Sequence, residues 1–341
     1  MKLCTRCILP ETFPGVVFDD RGICSHCLKY EPKRGRMADE KKTYARKFHD
    51  LLQELGAGQE GAGRTASRAY DVLMAYSGGK DSTYTMFLLK KKYGLRVLAL
   101  SFDNGFVSET AARNIRRVTD ALEIDHLFFR PSQDVLKRIF IKAAESELYS
   151  RKTLERASTI CTSCIGLVKS ICLRTAIEQT IPMVAFGWSP GQAPVESSIM
   201  KNNPSLTRMA QQAIHQPLKA VVGEAIDAYF LTEPHYAMAE RFPYNVHPMA
   251  WEFYNEDMIV REIAELGWIA PSDTDSNSTN CLLNAFANDL HVKRYGFHPY
   301  VWEIANMVRE GVMTREEGYA KIYGEQRAHL VGIAKERLGC P

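Results

Sequence analysis

Short apolar segments alternate with amphipathic segments from Tyr70 onward, and this rhythm restricts the possible fold more than any other feature of the chain. The predicted strands are Tyr70–Tyr76, Val97–Phe102, His126–Phe129 and Met183–Phe186, and the predicted helices are 82–92, 108–122, 132–148 and 165–179. Buried strands that alternate with helices form a parallel sheet with helices on both faces. We therefore predict an α/β fold with a doubly wound parallel sheet, which binds its ligands at the carboxyl ends of the strands.

Four regions are predicted along the chain. Residues 1–35 form a turn-rich, cysteine-bearing module, 36–69 a helix over 37–55 and a glycine-rich linker, 70–235 the sheet domain, and 236–341 a mostly helical C-terminal region. Gly56 is placed to end the helix, and the linker from Gly56 to Arg68 is the clearest boundary. In the last region, Thr314 with Glu317 three residues later predicts a capped helix start.

Composition places the chain among ordinary globular proteins, with 45% hydrophobic and 24% charged residues. The N-terminus lacks the charged-then-apolar pattern of a secretory signal, and we find no apolar run predicted to span a bilayer. The nine cysteines are therefore expected in the reducing cytoplasm, where paired thiols more often bind metals than form disulfides. A net charge of +3 permits nucleic-acid binding without favouring it.

The first predicted strand runs directly into the loop SGGKDS, residues 77–82, and an apolar helix follows. Gly78 and Gly79 would allow backbone N–H groups to face an anion, and the N-terminus of the helix adds positive potential. Lys80 supplies a full charge, and the hydroxyl groups of Ser77 and Ser82 can donate hydrogen bonds. Asp81 is unusual in such a loop and either helps to hold Mg²⁺ or orients Lys80. The spacing of these residues differs from that of the G-x-x-x-x-G-K-[ST] phosphate-binding loop. The alternative interpretation of the segment is an ordinary glycine turn between a strand and a helix.

Two matching CxxC pairs lie close together near the N-terminus. They are Cys4 with Cys7 and Cys24 with Cys27. Each pair brings two thiolates onto one turn, and two pairs complete a closed tetrahedral Zn²⁺ site. Such a site would also explain how a short segment with little core can fold. The alternatives are four free thiols, or His26 as a ligand in place of Cys27.

A third CxxC pair, Cys161 and Cys164, precedes the predicted helix 165–179. We expect both thiols near the N-terminus of that helix, where thiolates are stabilised. Two cysteines do not fill a metal site, and Cys281 is the best third ligand. Cys172 falls inside an apolar helix and is predicted to pack, and Cys340 is at the chain end. A redox or persulfide pair at Cys161 and Cys164, and simple packing, remain alternatives.

The strand, the SGGKDS loop and the following helix together resemble the PP-loop, or N-type ATP pyrophosphatase, superfamily, whose signature is SGGxDS. The resemblance implies a HUP-type nucleotide-binding core that binds ATP and Mg²⁺, cleaves ATP between the α- and β-phosphates and transfers AMP to a substrate oxygen. Lys80 and Asp81 would serve catalysis. The implied nucleotide contacts, besides residues 77–82, are Ala75, Tyr76, Phe102, Asp103 and Gly187. Asp103 would contact Mg²⁺ or ribose, or instead cap the next helix.

The chain resembles two branches of that superfamily. A CxxC pair with a distant third cysteine is similar to the iron–sulfur-dependent tRNA thiolases, which implies a 4Fe–4S cluster on Cys161, Cys164 and Cys281, with Cys161 and Cys164 catalytic. The chain also resembles the N-acetyl sugar amidotransferases over most of its length. The segments that carry this resemblance are the N-terminal module, the stretch LALSFDNG and the run YGFHPYVWEIANMVREGVMTREEG.

The two resemblances imply different second steps. The first implies sulfur insertion on a tRNA base, a nucleotide or a small metabolite, with a sulfur donor; tRNA is possible but not favoured by the charge. The second implies amidation of an N-acetyl sugar with ammonia from a glutaminase partner. A non-catalytic adaptor that binds zinc and nucleotide is a further alternative. A homodimer is expected by analogy.

Overall fold

The computed structural model describes residues 1–33, 35–58, 68–275, 277–324 and 328–339. At its centre is a six-stranded sheet with the order β3-β2-β1-β4-β6-β5. The strands are β1 (Val72–Ala75), β2 (Val97–Phe102), β3 (Asp125–Phe129), β4 (Met183–Phe186), β5 (Ile199–Lys201) and β6 (Tyr244–Val246). All neighbours are parallel except β5, which pairs antiparallel with β6 at the edge. The predicted α/β fold and its four strands are confirmed; β5 and β6 were not predicted, and β6 comes from the region expected to be helical.

The helices of the described chain follow the same alternation. They are α1 (Ser25–Tyr30), α2 (Met37–Glu54), α3 (Lys80–Phe87), α4 (Glu109–Leu122), α5 (Gln133–Glu145), α6 (Thr159–Glu178), α7 (Pro204–Val222), α8 (Glu233–Ala237), α9 (Glu256–Ala264), α10 (Asn284–Tyr295), α11 (Val301–Arg309), α12 (Arg315–Tyr323) and α13 (Ala328–Leu338). Two sequence signals are confirmed: Gly56 ends α2 with a φ of 57°, and Thr314 and Glu317 form the capping box of α12. Most of the predicted linker and Cys340 lie outside the described residues.

Helices cover both faces of the sheet. Successive side chains of a strand point to opposite faces, so one strand contributes to the core on each side. Val72 and Met74 of β1 pack in one core cluster with residues of α3 and α4. Leu73, between them, packs in another cluster with residues of α6. The chain places β2 and β3 on one side of β1 and β4 on the other. The gap between the ends of β1 and β4 is therefore the position where such sheets bind ligands.

Helix α6 has the length and composition of a membrane-spanning helix: it has 20 residues, and an 18-residue window of it has a mean hydropathy of 1.5. The expectation that no segment meets this criterion was therefore wrong. In the structure, half of that window is buried inside the protein. The helix packs against β1, β4, α5 and α7, so its apolar character serves the core.

The N-terminal module packs on the C-terminal helices rather than on the sheet. Its buried cysteines and neighbouring apolar residues form one cluster with side chains of α11 and α12. The guanidinium group of Arg315 donates hydrogen bonds to the carbonyl oxygens of Cys4 and Cys7, and the Tyr323 hydroxyl donates to the Ile8 carbonyl at 2.9 Å. The N-terminal module thus packs as one unit with α11 and α12.

Candidate functional site

The SGGKDS segment follows β1 as predicted, with residues 77–79 in the loop and residues 80–82 in the first turn of α3, which begins two residues before the predicted start at 82. Gly78 has a φ of 76°, and a Cβ atom there would lie 2.7 Å from the Ala111 carbonyl oxygen, so only glycine fits. The Trp268 indole donates a hydrogen bond to the Gly78 carbonyl at 3.0 Å. The Ser77 and Ser82 hydroxyl oxygens are 3.0 Å apart across the loop. The loop is therefore fixed by its neighbours before any ligand binds.

Gly187, the first residue after β4, allows that strand to approach the loop. A Cβ atom on Gly187 would lie 2.4 Å from the Ser82 Cα and 2.6 Å from the Ser82 nitrogen. Contacts this short do not occur with real Cβ atoms, so any side chain would push β4 away from the loop. The close approach of β4 to the loop thus depends on glycine at this position, and the predicted nucleotide contact of Gly187 stays a prediction.

Lys80 is the first residue of α3, and its ammonium group is held by three side chains. Its Nζ donates to the Tyr254 hydroxyl at 2.8 Å and lies 3.3 Å from both Asp81 Oδ1 and Glu256 Oε1. Its backbone nitrogen donates to Thr279 Oγ1 at 2.9 Å. The expectation that Asp81 orients Lys80 agrees with this geometry. Tyr254, Glu256 and Thr279 were not predicted, because nothing in their local sequence marks them.

A cavity of about 300 Å³, here called the central cavity, opens beside this loop. The predicted residues that line it are Ala75, Tyr76, Ser77, Ser82, Phe102, Gly187, Cys161, Cys164 and Cys281. Lys80 and Asp81 line a smaller cavity of about 80 Å³ with Glu256 and Glu303, and Tyr300 lines both cavities. The structure therefore joins the loop, the strand ends and the third group of cysteines in one place.

Asp103 does not line the central cavity. Its Oδ1 accepts a hydrogen bond from the Gly105 nitrogen at 2.8 Å, and its Oδ2 is 3.4 Å from Arg130. It shapes the turn after β2. The alternative that Asp103 caps the next helix is wrong, because the N-cap of α4 is Ser108; the Mg²⁺ or ribose contact stays a prediction. Gly78 and Gly79 shape the loop and line neither cavity.

Cys161 and Cys164 lie inside the first turns of α6, which begins at Thr159 and not at 165 as predicted. The reason is a cap that the sequence reading missed: Ser158 Oγ accepts a hydrogen bond from the Cys161 nitrogen at 3.1 Å. Cys281 arrives from the C-terminal part through a bridge to Val107, in the loop after β2. The Leu282 nitrogen donates to the Phe106 carbonyl at 2.9 Å, which fixes this approach.

Two asparagine side chains contact the three sulfur atoms. Asn104 Nδ2 lies 3.7 Å from Cys164 Sγ and 3.5 Å from Cys281 Sγ, and Asn284 Nδ2 lies 3.9 Å from Cys161 Sγ. Burial raises the pKa of the Cys161 thiol to about 11 and also raises the pKa of the other two. The expectation that the helix N-terminus stabilises free thiolates is thus wrong, since desolvation outweighs it. A bound cation would restore the thiolate form.

The four N-terminal cysteines fit a single metal ion. Cys4 Sγ is 3.8 Å from Cys27 Sγ, and Cys7 Sγ is 3.8 Å from Cys24 Sγ. A tetrahedron with metal–sulfur bonds of about 2.3 Å has edges of about 3.8 Å, so these separations match the predicted Zn²⁺ geometry. Cys27, not His26, is the fourth member of the group. Arg309 Nη1 lies 3.4 Å from Cys7 Sγ and offsets part of the negative charge.

Within the described residues, these four cysteines form the one group whose ligand atoms all lie within 4.8 Å of one another. The sulfur atoms of Cys161, Cys164 and Cys281 are therefore spread more widely. A wide triad that lines a cavity suits a larger metal group better than one ion.

Glu303 of α11 is a partly buried residue that the sequence does not single out. It accepts a hydrogen bond from the Ser189 hydroxyl, and burial raises its pKa to about 7, against 4.5 in an exposed chain. A carboxyl with a raised folded-state pKa favours folding below pH 4.5, and this contribution is lost as the pH rises through about 7.

Glu303→Gln should therefore remove this pH dependence. Relative to the variant, the wild-type free energy of unfolding is expected to fall by about 3 kcal/mol from about pH 4 to about pH 8. Urea unfolding of both proteins at several pH values measures this difference. A difference independent of pH would contradict the assignment.

Comparison with known proteins adds little to this picture. No protein-family model matches the sequence. The uncharacterized protein MJ1599 of Methanocaldococcus jannaschii is 23% identical over 318 residues, which cover 92% of this chain and 90% of that protein. Among solved structures, the U34-tRNA thiolase NcsA from Methanococcus maripaludis, with its [4Fe-4S] cluster, matches with a TM-score of 0.37 and 16% identity, over 95% of this chain and 92% of that one. At these values, neither similarity assigns an activity.

Proposed function

We propose that this protein is an ATP pyrophosphatase of the PP-loop type, which adenylates a substrate carbonyl oxygen and then replaces that oxygen by sulfur. One observation carries the proposal: Ser77 and Ser82 of the SGGKDS loop and three cysteines line a single cavity at the end of β1 and β4. An activation site and a sulfur site that share one cavity would let the activated carbon react without leaving it.

In the first step, the carbonyl oxygen of the substrate attacks the α-phosphorus of ATP, and the bond to the bridging oxygen breaks to release pyrophosphate. Ser77, Ser82 and the N-terminus of α3 would hold the departing phosphates. The ammonium group of Lys80 would neutralise charge that develops on them, and Tyr254, Asp81 and Glu256 fix its position. Asp81 would supply a carboxylate for the Mg²⁺ that accompanies ATP.

In the second step, a sulfur nucleophile displaces AMP and converts C=O to C=S. Cys161, Cys164 and Cys281 would hold a 4Fe–4S cluster, which, when bound, supplies an open iron for sulfide. The residues present fit such a group, because their spread exceeds that of a single-ion site and Asn104 directs an N–H toward two of the sulfur atoms. Hydrogen bonds of this kind tune the reduction potential of clusters.

The four N-terminal cysteines would hold a structural Zn²⁺. All four are buried and already close, so no coordination position faces solvent. A sulfur donor, a substrate such as a tRNA base, a nucleotide or a small metabolite, a homodimer and a cytoplasmic location remain expectations from the sequence.

The proposal is tested on anaerobically purified protein by metal and sulfide analysis together with pyrophosphate release. We expect about four irons per chain in addition to one zinc. Cys161→Ser should lower the iron content and abolish sulfur transfer while ATP cleavage persists. The matched control is Cys172→Ser, a fully buried cysteine of the same helix that lies outside the cavity.

Two outcomes would replace this function by one of its alternatives. Zinc alone, with activity that survives Cys161→Ser and requires ammonia, would indicate an amidotransferase. Bound ATP that is not cleaved with any acceptor tried would indicate a non-catalytic adaptor.

A further inference from the structure

A second cavity of about 330 Å³ lies between α6, α7 and the part of the sheet formed by β4, β5 and β6. None of its described lining residues belongs to the SGGKDS loop or is a cysteine. It shares only Phe186 and Trp188 with the central cavity. The proposed function gives this cavity no role, although its volume falls in the range of small-molecule sites, which begins at roughly 300 Å³.

The walls of the second cavity are largely apolar. Helix α6, strands β4 and β5 and helix α7 contribute Leu173, Val184, Phe186, Met200 and Ile214. Met200 is 48% exposed, so part of this apolar surface is open to a ligand. Apolar surface of this kind gains free energy when a ligand removes it from water. The walls therefore favour a ligand with an apolar body over a fully polar one.

Lys169 of α6 is the one residue with a permanent charge among the described residues that line the cavity, and no Asp or Glu is among them. Its ammonium group lies 4.5 Å from the centroid of the Trp188 ring. The side chain keeps accessible surface, while burial among the surrounding atoms lowers its pKa. A cation that is partly removed from water is stabilised by an opposite charge. The cavity thus offers a cation to which a negative ligand can bind.

The amide oxygens in the lining are already used by hydrogen bonds within the protein. Gln211 Oε1 accepts from the Leu231 nitrogen at 3.2 Å and from the Tyr236 hydroxyl at 3.3 Å. The side chains of Asn202 and Asn245 donate to each other's oxygens, at 3.2 and 2.9 Å. With its oxygen engaged, Gln211 offers a ligand the Nε2–H donor. These amides therefore favour a ligand that accepts hydrogen bonds.

His247 adds a buried nitrogen atom to the polar end of the cavity. The residue lines the cavity and is 5% exposed, and its Nδ1 has no partner among the described residues. Its ring centroid lies 4.4 Å from that of Trp188, the ring that Lys169 also contacts. Buried polar atoms are rarely left unpaired, so a polar group of a ligand is expected here. A neutral imidazole carries its proton on either nitrogen, so Nδ1 can donate to an anion.

We propose that the second cavity binds an organic monocarboxylate, whose carboxylate pairs with Lys169 while its apolar body lies between α6 and α7. One ammonium group in an otherwise uncharged lining matches one negative charge. A phosphate group carries more charge and is usually bound by several donors together. Two kinds of molecule have the required chemistry, a fatty acid and an aromatic acid. The inference goes beyond the proposed function and does not depend on it, because neither the SGGKDS loop nor the cysteines take part.

Calorimetric titration of the full chain tests the site with two acids and the neutral alcohols of the same skeletons. The probes are octanoate with 1-octanol and 3-phenylpropionate with 3-phenyl-1-propanol. We expect one acid to bind at least about tenfold more tightly than its alcohol, because only the acid pairs with Lys169. The acid that binds more tightly identifies the apolar body as a chain or a ring. Lys169→Met keeps an unbranched side chain, and it should weaken that acid by about ten- to hundredfold and leave the alcohol unchanged.

Lys201→Met is the matched control, since Lys201 is also an exposed lysine over an aromatic ring, 4.7 Å from the Tyr244 centroid, but does not line the cavity. It should bind the acid like the wild type. Ala210→Phe places a ring in the cavity from an exposed position of α7 and should weaken both acid and alcohol. Thermal unfolding confirms that each variant is folded.

Four results would overturn the inference. They are equal binding of each acid and its alcohol, equal binding of the acid by the wild type and by folded Lys169→Met or Ala210→Phe, displacement of the acid by ATP, and no binding of either acid at about 10 mM. Displacement by ATP would place the acid in the central cavity. Pyrophosphate release does not enter this test, so a failure of the proposed function would leave its outcome unchanged.

Discussion

Lys80→Ala is expected to lower the rate of ATP-dependent pyrophosphate release by about 10²- to 10³-fold, the range seen when one preorganised electrostatic group is removed. The reason is geometric: the ammonium group is held by Tyr254, Asp81 and Glu256 before ATP arrives, so no reorganisation is needed when charge develops on the leaving phosphates. Weaker ATP binding should accompany the loss. Release of pyrophosphate with a saturating acceptor measures the rate, and calorimetry measures the affinity.

The control is Lys91→Ala, an exposed lysine at the other end of the same helical segment. Removal of Lys80 also leaves two carboxylates close to each other, so thermal unfolding of each variant is recorded to separate instability from lost chemistry. Lys80→Arg tests position against charge, since its longer planar group cannot reproduce the contact with Tyr254. If folded Lys80→Ala protein released pyrophosphate at the wild-type rate, the loop would have another role.

The SGGKDS loop and its place after β1 could be predicted because the information for them is local. The strand, the two glycines, Lys80 and the helix are contiguous, and each obeys a short-range rule of backbone geometry. The partners of the Lys80 ammonium group could not be predicted. Tyr254 and Glu256 lie more than 170 residues away, and their approach depends on how α9 packs against α3. No local pattern encodes that contact.

The same limit explains the errors in the sheet and in α6. Strands β5 and β6 have three residues each, too short for a clear alternation, and they are stable through pairing with each other and with β4. The start of α6 was missed because Ser158 has a cysteine, not a glutamate, three residues later. Cys281 was predicted to join Cys161 and Cys164 by residue type alone; its path beside Val107 was not predictable.

The N-terminal cysteines lead to the second large effect. Cys24→Ser is expected to release the metal and to unfold residues 1–33, because binding free energies of structural zinc are about 10–16 kcal/mol in small modules. The loss should reach the smaller cavity that Lys80 and Asp81 line. Arg309 contacts Cys7 from the end of α11, and the same helix carries Glu303, which anchors Ser189 in the loop after β4. Lower ATP turnover should therefore accompany the loss of zinc.

We measure zinc content, thermal unfolding and pyrophosphate release on Cys24→Ser. The control is Lys29→Ala, which changes an exposed residue of α1, the helix that follows Cys24. Only the cysteine variant should lose zinc, with a second, lower-temperature unfolding transition. Because the module packs on α11 and α12 and not on the sheet, the helices and sheet around α6 are expected to stay folded. The expectation would be contradicted by a zinc-free variant that has the unfolding transition of the wild type and cleaves ATP at the wild-type rate. That result would show that α11 holds Glu303 in place without the metal site.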